Sequence, residues 1–503
     1  DVLYPEGTVE SAHCFRLTRG GDLDLSDSGV RDLLPAVEEA AHRRAVNPIV
    51  RIEVERGMPP LLRELLLAEL GNERGSDGAP LTPSDVYEVD WPLDLRALGA
   101  IADLARPELR FAPFRARAPI DEARSIFDAL RDGDVLAHHP WDSFEGTAGR
   151  LVSEAAEDPA VVAIKVTLYR VDNPSPVVEA MLRAAQAGKE VVAYVELRAR
   201  FDESRNVAWV RRLERAGARL VYGKVGLKTH AKVMLVVRRE EGRMRRYVHA
   251  GSGNYNSATS RLYTDISLLS ADPTLGADIS DFFNELTGTP GAPQAVPRSC
   301  LVGPRHLLGP LLERVRREAA HAREGRGGRI RVKVNGLSDP EMIRALYDAS
   351  RAGVEIDLVV RGICTLRPGV PGLSDRIRVV SVLGRFLEHS RIYHFGNGGA
   401  DEYFIGSADL RPRNLRRRIE MLVPILDARR RTELDDLLSL YLTDPGAWEL
   451  RPHGAYDRRT SADGVAGTQE RLLAGLEPPT DASVEGAGEA PARGALGPVA
   501  DLS

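Results

Sequence analysis

Between Leu227 and Asp265 the chain reads LKTHAKVMLVVRREEGRMRRYVHAGSGNYNSATSRLYTD, and three of its features could do chemistry together: His230, Lys232 and the turn Gly251-Ser252-Gly253-Asn254. An ammonium is a compact point charge for an anion, and a glycine turn can line up backbone N–H groups as an anion-binding nest. An imidazole beside them is either a general base or a nucleophile that takes a phosphoryl group itself. The apolar run Val233–Val237 and the return through Tyr247–Ala250 read as two adjacent strands, which bring the three features to one place. Phosphate is the ligand such a place expects.

The pattern occurs twice. His389-Ser390-Arg391 repeats the His-x-cation, Gly406-Ser407-Ala408-Asp409 repeats the Gly-Ser-x-polar turn, and the two histidines lie 159 positions apart. Charge follows the same geography. The chain carries a net charge of −5, yet Arg198–Arg261 holds 16 Lys and Arg against 5 Asp and Glu, and Arg411, Arg413, Arg416, Arg417 and Arg418 form a second cluster. An acidic protein with basic zones beside both motifs is suited to holding a polyanion in a channel, and the net charge argues against a general nucleic-acid coat. The plainer reading of each zone is a solvated basic face.

The elements around the motifs follow one grammar. Val161–Leu168 is a nearly continuous apolar strand of the kind buried on both faces. Ser175-Pro176 opens a helix that Gly188 ends, Val191–Leu197 is a strand, Asn206 caps a helix ended by Gly217, and Leu220–Tyr222 is a strand. In the second repeat, strands at Ile330–Val334, Ile356–Val360 and Ile377–Ser381 flank a helix from Asp339-Pro340 to Gly353. Strand–helix–strand units predict a mostly parallel sheet in each half, with helices on both faces and a site where the halves meet. The start of the chain, with strands at His13–Thr18 and Ile49–Val54 and a helix at Leu61–Leu70, predicts part of a further α/β domain. Its first residue is Asp1, and the expectation is a fragment that has lost its N-terminus. Ala137–Phe144 (AHHPWDSF) reads as a structural loop, since neighbouring histidines point apart, with the rim of a site as the alternative. Residues 453–503 turn rich in Ala, Gly, Pro and Glu and predict a disordered tail with one short helix at Gln469–Leu476. Cys14, Cys300 and Cys364 are isolated, which fits a reducing cytoplasm and no zinc pattern.

With the duplicated motif in hand, the chain resembles the phospholipase D superfamily, except that the superfamily's Asp, five residues past the Lys, is Val237 here and Gly396 after Arg391. It is more closely similar to the long bacterial polyphosphate kinase family through THAKVMLV, HAGSGNYN, RLYTD, IKVTLYR, ELRARFDE, LVVRGIC, EHSRIYHFGNGG, IGSADL and HHPWDSF, in matching order between about Asp134 and Asp427. The resemblance implies two tandem phospholipase D-like α/β domains, at 116–297 and 298–452, preceded by a partial head domain at 1–115. The family's amino-terminal helical domain and the start of its head domain are expected to be missing from this stretch.

What the resemblance implies for residues is specific. His230 is the nucleophile that becomes a phosphohistidine, and His389 contacts the phosphates across the site. Tyr263 and Arg361 contact the nucleotide, while Lys232 and Asn254 cradle phosphate. Arg170 and Arg200 stand at positions associated with Mg²⁺; a guanidinium has no lone pair to give, so they hold phosphate oxygens that in turn bind the metal. Plainer readings stand beside these: Arg170 and Arg200 paired with Asp202 or Glu203, Tyr263 a core aromatic, Asn254 a turn residue, His249 and His394 supporting or core. The implied activity is reversible transfer of the ATP γ-phosphate to the end of a polyphosphate chain. The implied partners are ATP, ADP and polyphosphate, in a cytoplasmic homo-oligomer with peripheral membrane association and no nucleic acid. The rivals are a phospholipase D-type phosphodiesterase and a non-catalytic polyanion-binding module.

Overall fold

A computed structural model of the chain describes residues 9–20, 47–70, 81–90, 92–102, 104, 106–169, 171, 174–196, 203–223, 227–288, 296–459 and 465–476. The chain divides into two compact units, Asp1–Phe111 and Ala112–Ser503. In the first, β1 (Phe15–Arg19), β2 (Ile49–Glu55) and β3 (Val86–Val89) form one sheet and α1 (Pro60–Glu69) packs on it. β2 is central, antiparallel to β1 and parallel to β3, and Ile52, Val54 and Met58 bury against Leu62 and Leu66 of α1.

The second unit holds both His motifs. Its first half runs β4 (Val135–His139), β5 (Val161–Leu168), α2 (Pro176–Gln186), β6 (Glu190–Val195), α3 (Glu203–Arg215), β7 (Arg219–Tyr222), β8 (Lys228–Thr229), β9 (Lys232–Glu240), β10 (Arg243–Gly251), β11 (Tyr263–Ser270) and α4 (Pro273–Thr287). Ser175 caps α2 by accepting from the Val178 N–H, as expected, and α3 begins ahead of the predicted Asn206 cap. β5, β6 and β7 are parallel, each joined to the next through a helix. The remaining pairs, β5–β9, β9–β10, β10–β11 and β4–β11, are antiparallel, so the sheet is mixed rather than mostly parallel. The reason is the link between the His-x-Lys strand and the Gly-Ser turn. Glu241 and Gly242 both have positive φ, 49° and 76°, which makes a two-residue type I′ hairpin turn, and such a turn joins only antiparallel strands. Its register sets Lys232 opposite Gly251.

The second half repeats the scheme: β12 (Leu301–Val302), α5 (Leu308–Arg323), β13 (Arg329–Val334), α6 (Pro340–Arg351), β14 (Glu355–Val360), β15 (Ile377–Ser381), β16 (Leu387–Glu388), β17 (Ile392–Phe395), β18 (Glu402–Gly406), β19 (Arg418–Ile419), β20 (Met421–Pro424) and α7 (Ala428–Leu442). β13, β14 and β15 are parallel, and the rest of this sheet is antiparallel. β21 (Trp448–Leu450) and β22 (Tyr456–Arg458) extend it, and α8 (Thr468–Ala474) follows. Part of the stretch expected to be a disordered tail is thus ordered: Tyr456–Arg458 pairs in register with β21, and Thr468 and Gln469 are buried.

One apolar core serves both halves. Val233, Leu235, Val248 and Ile266 of the first sheet, Val380, Ile392, Ile405 and Val423 of the second, and Phe283 and Leu438 of α4 and α7 belong to a single buried cluster. Burying each such side chain is worth about 1.5–3 kcal/mol, so the halves are held together by the same burial that folds each of them. Among the described residues no helix is long and apolar enough to cross a membrane.

Candidate active site

Two short parallel ladders stitch the halves together, and each delivers a histidine and a carboxylate from opposite halves. β8 pairs with β19, Thr229 opposite Ile419, so the next residues, His230 and Glu420, stand side by side. β11 pairs with β16, Thr264 opposite Glu388, which brings Asp265 beside His389. The outcomes are His230 Nδ1 to Glu420 Oε2 at 2.9 Å and His389 Nδ1 to Asp265 Oδ1 at 2.7 Å. Each carboxylate is also held by the serine of its own half's Gly-Ser turn. Ser252 Oγ donates to Asp265 at 2.6 Å, Ser407 Oγ donates to Glu420, and both spans are 13 residues. Asn414 Nδ2 donates to the second Glu420 oxygen at 2.6 Å.

The glycines of these turns serve close approach rather than a nest. Neither Gly251 nor Gly253 has positive φ. A Cβ on Gly253 would stand 2.8 Å from the Asp265 carboxyl carbon, and one on Gly406 would stand 2.0 Å from the Met421 carbonyl oxygen. The turns are bare so that the carboxylate-bearing strand can lie against them.

The half-sites differ in what remains free. A carboxylate beside Nδ1 fixes the proton there and leaves Nε2 as the basic nitrogen. Among the described residues His230 Nε2 has no hydrogen-bond partner, whereas His389 Nε2 lies 3.1 Å from Arg391 Nη1, which donates to it. Burial first, then the cations Lys232, Arg418 and Arg391, push the His230 pKa well below the ordinary imidazole value, so it is neutral near pH 7. Burial and Arg391 outweigh Asp265 and bring His389 down to about 4. Among the described residues Lys232 Nζ has no hydrogen-bond partner, and burial holds its pKa well below the usual lysine value despite Glu420. A phosphate arriving beside it would restore the charge.

The remaining expected residues fall around this centre. The Tyr263 ring lies 5.3 Å from the His389 ring. Arg361 Nη1 donates to the Glu388 carbonyl at 3.0 Å. Asn254 Oδ1 is buried without a partner among the described residues. Arg170 and Arg200, with Asp202, lie outside the described residues. His249 is buried on Tyr255, and His394 stacks on Tyr403 and bonds Arg331, so neither reaches the pair. His138 and His139 end β4 rather than forming a loop; His139 stands opposite Asp265 and its Nδ1 pairs with the Asp142 carbonyl at 2.7 Å. Asp265 and Glu420 had no part in the reading of the sequence. The signal was present: in each repeat an acidic residue follows the turn serine at the same interval.

Among the described residues no group of three His, Cys, Asp or Glu is placed to hold a metal ion. The two central carboxylates are already committed to imidazole, hydroxyl and amide donors. The described side chains do not make a protein cage for Mg²⁺.

Three family models match the chain in order: polyphosphate kinase middle domain over residues 1–101, C-terminal domain 1 over 125–291 and C-terminal domain 2 over 300–469. The polyphosphate kinase of Thermosynechococcus vestitus is 46% identical over 503 residues, covering 94% of this chain and 67% of its own length. That of Mycolicibacterium gilvum is 49% identical over 460 residues, covering 90% of this chain and 61% of its own. The crystal structure of polyphosphate kinase from Porphyromonas gingivalis superimposes with a TM-score of 0.76 at 30% identity, over 97% of this chain and 69% of that one. The chain therefore spans about two thirds of the length of these relatives.

Proposed function

The chain belongs to the polyphosphate kinase family, a family of phosphotransferases, and from that premise we propose that His230 is the residue that carries the phosphoryl group between ATP and polyphosphate. The observation that carries this reading is the state of its ring: Nδ1 is tied to Glu420 and Nε2 is free among the described residues. Neutral Nε2 offers its lone pair in line to the γ-phosphorus. The N–P bond forms as the bond from the γ-phosphorus to the β,γ-bridging oxygen breaks, and ADP leaves with that electron pair. The imidazole becomes cationic as it is phosphorylated, and the buried Glu420 carboxylate stabilises that charge through the Nδ1–H it already accepts. A terminal phosphate oxygen of polyphosphate then attacks the phosphohistidine, the N–P bond breaks, and the ring returns to its neutral form. The reverse sequence makes ATP with the same residues.

Lys232 and Asn254, both with unpaired buried polar atoms, are suited to the transferring phosphoryl oxygens. His389, held by Asp265 and Arg391, faces the phosphates from the other half. Tyr263 offers a ring face to the base and Arg361 a fork to the nucleotide phosphates. Arg170 and Arg200 keep the phosphate-binding role that their motifs suggest. A divalent cation such as Mg²⁺, bound with the nucleotide, would supply charge neutralisation at the phosphates that Lys232 and Arg361 would help to hold.

The test is labelling with γ-phosphate-labelled ATP. The expected product is acid-labile and base-stable label on the wild-type protein, absent in His230→Ala. Label on His230→Ala of the same lability would sink the assignment.

A further inference from the structure

The strand that carries His389 into the site is weakly held by ordinary means. β16 has two residues and lies at the edge of its sheet, so one side of it pairs with β11 and the other faces away from any strand. Buried backbone groups on such an edge need partners from elsewhere. They come from α8. Gln469 Oε1 accepts from the Phe386 N–H at 2.8 Å, and Gln469 Nε2 donates to the Phe386 carbonyl at 2.9 Å. The side-chain amide thus stands in for the peptide group of an absent neighbouring strand. Its second N–H goes to Glu388 Oε1 at 2.7 Å. A glutamine amide has one acceptor and two donors, and all are used.

Glu388 in turn belongs to a closed polar cluster. Its other oxygen takes Thr264 Oγ1 at 2.8 Å and Lys333 Nζ at 2.8 Å. Lys333 also donates to Ser390 Oγ at 2.6 Å. The residues on both sides of His389 are therefore tied to one buried ammonium, and that cluster is closed on its far side by Gln469. Two further observations mark the contact as built. Gln469 is 2% exposed, with Thr468 beside it anchored to Asp444 Oδ2 and to the Leu440 carbonyl. At Gly384, a Cβ would stand 2.5 Å from Gln469 Oε1, so glycine there is what lets the amide in.

We propose that Gln469 is a positioning residue for the phosphotransfer site: its amide holds the Phe386 backbone at the entry to β16 and, through the Glu388 side chain, sets where His389 stands against Asp265. The inference rests on the proposed role of His389 at the phosphates. Without the amide, Glu388 Oε1 loses its donor and the Phe386 backbone is left without its partner. The imidazole then loses its fixed place, and a displacement of about 1 Å is enough to cost on the order of 100-fold in rate.

The experiment measures kcat, KM for ATP and melting temperature, in the protein that carries this chain, for Gln469→Ala, Gln469→Glu, Gly384→Ala and His389→Ala. For Gln469→Ala the expected result is a kcat lower by roughly 10- to 100-fold with KM for ATP within about threefold of wild type. Gly384→Ala, which expels the amide without changing it, reproduces that split. Gln469→Glu fills the same space but sets a carboxylate against Glu388, and it loses at least as much kcat as Ala; a role limited to filling space predicts the opposite order. If Gln469→Ala yields no folded protein, Gln469→Met, similar in size and without an amide, takes its place. A folded variant with wild-type kcat, or one in which only KM rises, overturns the inference. His389→Ala separates the two failures. If it turns over like wild type, the role of His389 is wrong; if it is impaired while folded Gln469→Ala keeps wild-type kcat, the positioning role alone is wrong.

Discussion

Lys232 and Arg391 stand at the same step of their repeats, two residues past a histidine and across from a Gly-Ser turn, yet their surroundings differ. Arg391 is neutralised within its own half: its Nε and Nη2 donate to the two oxygens of Asp409, at 3.1 and 3.2 Å, and its Nη1 reaches the His389 ring. The position matching Asp409 in the first half is Asn254, an uncharged amide, and among the described residues Lys232 Nζ has no hydrogen-bond partner. One half-site is closed on itself and presents a fixed imidazole. In the other, among the described residues, His230 Nε2, Lys232 Nζ and Asn254 Oδ1 have no hydrogen-bond partner. The two repeats offer like sockets that differ in the cation, Lys232 against Arg391, and in the turn residue, Asn254 against Asp409.

The largest test of that contrast is the two histidines themselves. His230→Asn should lower turnover on the order of 10⁴-fold or more, as loss of a covalent nucleophile does, and remove the acid-labile label. His389→Asn should lower turnover less while the label still forms. Equal labelling in the two variants would erase the proposed division of roles.

The carboxylates come next. Glu420→Gln keeps the shape but cannot stabilise an imidazolium or enforce the Nδ1–H tautomer, and an analogous amide exchange costs up to about 10⁴-fold. We expect 10²- to 10⁴-fold in single-turnover phosphorylation by ATP for Glu420→Gln, and a smaller loss for Asp265→Asn. The reverse order would mean that the nucleophile lies in the other half.

Acid stability reads the closed half-site. A histidine kept neutral with a folded pKa of about 4 against an ordinary 6.5 binds fewer protons folded than unfolded across that interval. Stability is therefore lost as pH falls from about 6.5 to about 4, on the order of 1–3 kcal/mol for this group. Urea unfolding of wild type and His389→Gln over that range should show the shallower pH dependence in the variant; parallel curves would remove His389 as the cause.

The smallest expected effect converts the open half toward the closed one. Asn254→Asp offers Lys232 a partner like the one Asp409 gives Arg391, so a bound phosphate must compete with it. KM for ATP should rise by roughly tenfold, about the worth of one charge-assisted contact. An unchanged KM would show that Asn254 does not face the phosphates.

Much of this was legible in the residues. The Pro, Ser, Asp and Gly signals at Ser175-Pro176, Asp339-Pro340, Gly188 and Gly353 mark helix ends through local backbone chemistry, and the helices begin and end there. The apolar runs of β5 and β13 mark strands buried on both faces. The hairpin direction was less legible: a short apolar run carries no sign of parallel or antiparallel pairing, and the Glu241-Gly242 turn decided it.

What the chain's own order determined was the chemistry present: two His-x-cation steps, two Gly-Ser turns and the family they announce. Local sequence suffices for these because side-chain type, strand alternation and turn conformation act over a few residues. What only the tertiary structure decided was which groups meet. His230 finds Glu420 across 190 residues and His389 finds Asp265 across 124, each through a two-residue ladder too short to leave a pattern. Gln469 reaches Glu388 across 81 residues, from a short helix that the sequence suggested but gave no partner. Such pairs form because one apolar core is shared by both halves. Its burial energy holds the two sheets together, and the polar groups at the seam then meet wherever that packing sets them.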